Sequence, residues 1–196
     1  FSLTGQPNAM GGREVGGLAN MLAAHMGFAP DEVDRVRRFW DAPSIADREG
    51  LKAVQMFEAI ERGEIKALWV IATNPAVSLP RAGAMLEAMK RLDLFAVSAG
   101  PHVLLPAAAW GEKDGTVTNS DRRISRQRAF LPLPGEVRPD WWIVSEVARH
   151  LGFGERFAWQ NAASVFREHA ALSAFENGGA RAFDIGGLKE ISDDDY

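Results

Sequence analysis

The run Lys66-Ala67-Leu68-Trp69-Val70-Ile71-Ala72-Thr73, passing straight into Asn74-Pro75, restricts the fold more than any other stretch of the chain. Continuous apolar character, without strict alternation, belongs to a strand covered on both faces, as in a parallel sheet packed between helices. Before it, Leu51, Val54, Met56, Phe57 and Ile60 recur at three- and four-residue spacings, so an amphipathic helix is expected over about residues 47–62, stopped by Gly63. After it, a helix over about residues 80–91 opens on Pro80 and brings Met85, Leu86 and Met89 onto one face. Helix, strand, polar turn, helix is the rhythm of a parallel α/β architecture.

Two more strands are expected, over residues 94–98 and 102–105, and their spacing creates a difficulty. Neighbouring parallel strands need a crossover of about a dozen residues, which Ala99-Gly100-Pro101 does not supply. Either that pair is antiparallel, or residues are missing between Ser98 and Pro101. Residues 2–17 carry five glycines and a proline and read as a loop, with Gln6, Asn8 and Arg13 as its useful polar groups. Further helices are expected over about residues 15–26, 30–39, 141–151 and 162–175. Pro30 opens the second, Asp140 caps the third with Gly152 at its end, and Asn161 starts the last. Leu131-Pro132-Leu133-Pro134-Gly135 is extended.

With 196 residues and 46% hydrophobic content the chain can bury a core. A net charge of -4 argues against a general nucleic-acid binder, and no apolar run reaches the length of about eighteen residues that a membrane span needs. A cytoplasmic protein is the expectation. The start at Phe1-Ser2, without methionine, reads as a piece of something longer. No cysteine is present to form a disulfide, hold a metal or act as a nucleophile, and His25, His102, His150 and His169 make no pair at a metal-ligand spacing.

The chemistry concentrates in residues 110–128, W-G-E-K-D-G-T-V-T-N-S-D-R-R-I-S-R-Q-R, which follow the third strand. Gly111 and Gly115 allow a close backbone approach, and Arg122, Arg123, Arg126 and Arg128 set four guanidinium groups close together. From charge pattern alone this is a solvated loop whose arginines pair with carboxylates; the sharper reading is a loop that holds an anionic ligand of nucleotide size. Ligands of open α/β sheets sit at the carboxyl ends of strands. Asn74, Ser98 and Lys113 fall there, and Asp140 lies at a helix N-terminus. An aspartate so placed can accept two N–H groups of a guanine, and a lysine offers a point charge for phosphate. No G-x-G-x-x-G or Walker sequence occurs, which disfavours ordinary NAD or ATP sites.

At these residues the chain also resembles a known family. S-L-T-G-Q-P-N-A-M-G-G-R-E-V-G-G, W-V-I-A-T-N-P, L-L-P-A-A-A-W-G-E-K-D-G-T-V-T-N-S-D-R-R and R-P-D-W-W-I-V-S-E-V-A are similar to segments of the assimilatory nitrate reductases of the molybdopterin oxidoreductase (dimethyl sulfoxide reductase) family. The resemblance covers nearly the whole chain. It implies an α/β domain with a Rossmann-like, mostly parallel sheet flanked by helices and extra helices at the C-terminal end. The implied division is a cofactor and substrate-funnel loop over 1–17, a dinucleotide-binding domain over 18–152 and a helical extension over 153–196. The implied cofactor is molybdenum-bis(molybdopterin guanine dinucleotide), with Ser2 and Gln6 near the pterin and Asn74, Ser98, Lys113 and Asp140 serving one dinucleotide. Arg13 matches the family arginine above the metal, the implied catalytic group that attracts and orients nitrate.

The same resemblance implies an iron–sulfur cluster in an N-terminal part outside this chain, and as partners nitrate, the remaining domains of the same polypeptide and an electron-donor protein or reductase subunit. The family has a longer polar loop between Ser98 and Pro101, which coincides with the short crossover. Two alternatives stand beside this reading: a domain of a formate dehydrogenase-like molybdoenzyme, disfavoured by Thr4 where that group typically has arginine, and a stand-alone α/β nucleotide-binding or interaction module without catalysis.

Overall fold

The computed structural model describes residues 7–97 and 103–196. The chain divides into two compact units, one of Gly50–Ala108 with Leu133–Arg138, the other of the chain up to Glu49 with Ala109–Pro132 and Pro139–Tyr196.

The first of these is built on a parallel sheet in the order β1-β2-β3, with β1 Ala67–Val70, β2 Leu94–Val97 and β3 Val103–Leu104. Ala67 stands opposite Leu94 and Val70 opposite Val97, while Ala96 and Val97 face Val103 and Leu104. Helices α3 (Ala53–Glu61) and α5 (Ala82–Met89) supply Phe57, Ile60, Met85, Ala88 and Met89 to one core with Val70, Phe95 and Val97 of the sheet. Burying such side chains is worth about 1.5–3 kcal/mol each, which is why short strands suffice. A short helix, α4 (Pro75–Ser78), follows β1 and opens on proline as expected of its first turn. The segment ending at Arg138 runs beside residues 106–108, with Ala108 N–H donating to Arg138 O at 2.9 Å and Arg138 N–H to Pro106 O at 3.1 Å. The β2–β3 pair is parallel, so the antiparallel alternative falls.

In the other unit the expected helix over residues 15–26 does not form. Gly16 at φ +76°, then Ala24 and His25 at φ 54° and 60°, hold left-handed backbone that a right-handed helix excludes. The apolar periodicity instead reflects Leu22, Ala23, Ala24 and Met26 packing with Val36 and Leu172 in a core of turns and helices. Helix α1 (Ala9–Glu14) lies within the stretch read as loop. Helices α2 (Pro30–Phe39), α6 (Asp140–His150) and α7 (Ala162–Ala174) lie close to their expected bounds. Asn161 caps α7, its side-chain oxygen accepting from Ser164 N–H at 2.8 Å.

Two readings of the 110–151 region are corrected. Residues 110–128 are not an irregular loop but a short helical turn, Trp110–Glu112, and an antiparallel hairpin of β4 (Gly115–Thr118) and β5 (Ile124–Gln127). Asp140 is not the cap of α6: Pro139 holds that place, its carbonyl accepting from Trp142 and Ile143, and Asp140 is the first helical residue. Its carboxylate is thereby free to engage Lys113 instead of the helix end.

Candidate functional site

Gly111 sets the approach to Lys113. Its carbonyl accepts from the N–H groups of Phe130 and Leu131 at 2.9 and 2.8 Å, and a Cβ there would stand 2.8 Å from the Phe130 ring, so only glycine lets the two segments meet. The Glu112 carboxylate accepts from Ala109 N–H at 2.8 Å, and the Gln127 amide donates to the carbonyls of Trp110 and, at 3.2 Å, Lys113. Asp114 accepts from Ala129 N–H at 3.1 Å and from the Arg126 guanidinium at 3.2 Å. Lys113 therefore leaves a backbone fixed on both sides.

Its ammonium reaches the Asp140 carboxylate at 2.6 Å, and both side chains remain 30% exposed. Two of the residues expected from the sequence are thus joined. The carboxylate also benefits from the positive end of α6. A half-exposed acceptor beside an ammonium donor offers the pattern complementary to a guanine edge, whose N1–H and N2–H donate and whose O6 accepts.

Asn74 lies in the Gly50–Ala108 unit, just beyond the carboxyl end of β1. Its carbonyl accepts from Val77 N–H, Ser78 N–H and the Ser78 hydroxyl at 3.1, 3.1 and 2.8 Å, and the residue itself is exposed. Ser2, Gln6 and Ser98 lie outside the described residues.

Arg13 stands in the last turn of α1, exposed, with no hydrogen bond or ion pair to its guanidinium among the described residues. Its neighbour Glu14 is buried, 2% exposed, and accepts from the Thr118 hydroxyl at 2.8 Å. Asn8, at the other end of the helix, accepts from Thr118 N–H at 2.9 Å. Glu14 also lines a cavity of about 670 Å³ with His25, Arg122, Arg181, Phe183 and Asp184. His25 Nε2 lies 3.3 Å from the Arg122 guanidinium. Burial, then that guanidinium, hold the His25 pKa below its usual 6.5; His169, stacked near Phe183, is likewise lowered, first by burial and then by His25. The sequence does not mark Glu14 as a functional residue, Thr118 reads only as one polar group among several, and His25 and His169 lack a metal-ligand spacing. The one available signal was an acid immediately after Arg13 in a glycine-rich stretch.

The four arginines do not form a single cluster. Arg122 turns to His25, Arg126 lies over the Tyr196 ring at 3.8 Å and pairs with Asp114, and Arg123 and Arg128 are exposed. Among the described residues no group of His, Asp or Glu could hold a metal ion, and no helix is long and apolar enough to cross a membrane.

Comparison with known proteins gives a consistent result. The family described as "Molybdopterin oxidoreductase" matches residues 4–150. The "Nitrate reductase" of Klebsiella oxytoca is 60% identical over 201 positions, which take in 98% of this chain and 23% of that protein. The "Nitrate reductase" of Shewanella frigidimarina is 50% identical over 207 positions, 100% of this chain and 22% of that protein. An "F420-dependent formate dehydrogenase 2 subunit alpha" from Methanococcus maripaludis is 32% identical over 179 positions, 87% of this chain and 26% of that protein. The chain spans only about a quarter of the length of these relatives.

Proposed function

Because the chain belongs to the molybdopterin oxidoreductase family, we propose that it is an internal cofactor-binding part of a molybdenum nitrate reductase. The higher identity to nitrate reductases, 60% against 32% for the formate dehydrogenase subunit, supports nitrate over formate as substrate. The carrying observation is the Lys113–Asp140 pair, whose side-by-side ammonium and carboxylate suit the guanine end of a molybdopterin guanine dinucleotide.

In this reading Asp140 accepts the guanine N–H groups and Lys113 donates to O6 or a phosphate. By the family resemblance Asn74 and Ser98 also serve a dinucleotide, and Ser2 and Gln6 belong toward the pterin. Arg13, whose guanidinium has no partner among the described residues, attracts nitrate and fixes its orientation through paired N–H donors. When bound, the molybdenum cofactor supplies two-electron oxygen-atom transfer, by which nitrate, two electrons and two protons become nitrite and water. The protein's share is binding, orientation and charge. An iron–sulfur cluster, an electron-donor protein and the remaining domains lie outside this chain, and the whole works in the cytoplasm. The division into a funnel loop (1–17), a dinucleotide-binding domain (18–152) and a helical extension (153–196) belongs to the same reading.

The connection between β2 and β3 is where this reading expects residues to be missing: a parallel pair calls for a crossover of about a dozen residues, and this chain has only residues 98–102 between them.

The test is Arg13→Ala in the intact enzyme. Molybdenum content is expected to stay unchanged while nitrate turnover falls by at least about a hundredfold, the loss that a charge-assisted substrate contact predicts; unchanged kinetics would remove Arg13 from the substrate path.

A further inference from the structure

We propose that Glu14, together with Asn8, is a positioning residue that aims Arg13, an inference that rests on the substrate-path reading of Arg13 given above. A helix as short as α1 cannot hold its own shape, since isolated helices below about 12–15 residues are marginal even without glycine, and Gly11 and Gly12 weaken it further. Among the described residues, Thr118 holds it at both ends. Thr118 N–H donates to the Asn8 side-chain oxygen at 2.9 Å, and the Thr118 hydroxyl donates to the Glu14 carboxylate at 2.8 Å. Both ends of α1 are therefore clasped to the last residue of β4, which is 4% exposed and fixed by its pairing with Ile124.

The glycines complete the clasp. A Cβ on Gly11 would stand 2.2 Å from the Asn8 oxygen, and Gly17, whose N–H donates to the Gly12 carbonyl at 2.7 Å, would bring a Cβ to 2.8 Å from that same oxygen. Successive helical residues are about 100° apart, so with Glu14 drawn inward Arg13 is turned out. Stability alone gives little reason for this arrangement. Burying a carboxylate on a single neutral donor is costly, and among the described residues Glu14 has no ion-pair partner. What the acid supplies is a fixed orientation for its neighbour, and a guanidinium less well aimed holds its substrate more weakly.

The experiment uses the intact enzyme with Glu14→Ala, Glu14→Gln, Thr118→Val and, as reference, Arg13→Ala. It measures KM and kcat for nitrate across pH, and amide hydrogen exchange of residues 9–14. Glu14→Ala and Thr118→Val are expected to raise KM about tenfold, the factor set by losing one hydrogen bond, with kcat changing less, and to speed exchange by a similar factor. Glu14→Gln keeps the acceptor for Thr118 and restores both. If Glu14→Gln fails as badly as Glu14→Ala and shifts the pH profile, the acid's proton matters and positioning is overturned. If exchange speeds up in Glu14→Ala while KM stays at the parent value and Arg13→Ala remains impaired, Glu14 serves folding alone. If Arg13→Ala itself is silent, the substrate-path reading fails and takes this inference with it, while the exchange data still report whether the clasp exists.

Discussion

Two neighbouring glycines in α1 answer to opposite forces, and replacing each with alanine separates them. In a helix interior alanine is favoured over glycine by about 0.8–1.0 kcal/mol. A Cβ on Gly12 meets nothing within 4 Å, so Gly12→Ala should realise most of that gain. A Cβ on Gly11 would lie 2.2 Å from the Asn8 oxygen and 2.9 Å from its Cγ, contacts that only displacement of the amide can relieve. The displaced oxygen is the acceptor for the N–H of buried Thr118, and stranding that donor costs about 1–3 kcal/mol. Set against the propensity gain, Gly11→Ala is expected to destabilise by about 1 kcal/mol, leaving the two variants about 2 kcal/mol apart. For a chain of this size that separation is roughly 4–8 °C in Tm. Thermal unfolding followed by tryptophan fluorescence reads it directly. In an Asn8→Ala background the clash partner is gone, and Gly11→Ala should then stabilise as Gly12→Ala does. If the two glycine variants shift Tm in the same direction, or if Gly11→Ala behaves alike with and without Asn8, the contact has no energetic weight and the reasoning fails.

Two other outcomes follow from the same structure. His169 is held below its usual pKa of 6.5, first by burial, so the unfolded chain takes up the proton first as pH falls. Its contribution is complete above about pH 6.5 and is lost as pH drops through the lower folded value, so the urea midpoint should decline below about pH 6.5, less steeply in His169→Gln; a midpoint that rises on acidification contradicts this. Asn161→Ala removes the acceptor for Ser164 N–H at the start of α7 and should cost about 1 kcal/mol in urea unfolding, while Asn161→Ser, which keeps a capping acceptor and sets no second carboxylate against Asp193, should cost less.

The elements legible in the sequence were those whose signal is a repeating burial pattern. The apolar runs behind β1 and β2, the spacing of Phe57 and Ile60, the proline start of α2 and the Asn161 cap of α7 each read directly, because these signals act over a few residues. Helix α1 did not read, because glycine signals a turn on average whereas here Gly11 and Gly17 are needed for close contacts. The helix expected over 15–26 failed because left-handed residues at Gly16, Ala24 and His25 break a stretch of favourable composition. The hairpin was hidden behind its charges, although Thr116, Val117 and Thr118 before Asn119 carry a strand signal. Lys113 and Asp140 were both identified singly. Their pairing, across 27 positions of sequence, depends on the packing of Gly111 against Phe130 and on the start of α6, which no local pattern encodes.

Lys113 and Asp140 are proposed above all to grip the guanine end of a molybdenum-carrying dinucleotide. Asp140→Asn replaces one acceptor oxygen by an amide donor while keeping its size, so the intact enzyme carrying it should retain its fold but lose cofactor. The measurement is molybdenum and released guanine nucleotide per protein after purification, in parent and variant, together with secondary structure by circular dichroism. The prediction is a fall of both contents to below about half with the secondary structure unchanged, since a mismatched charged contact weakens binding by about tenfold or more; full molybdenum and guanine content in Asp140→Asn would contradict it.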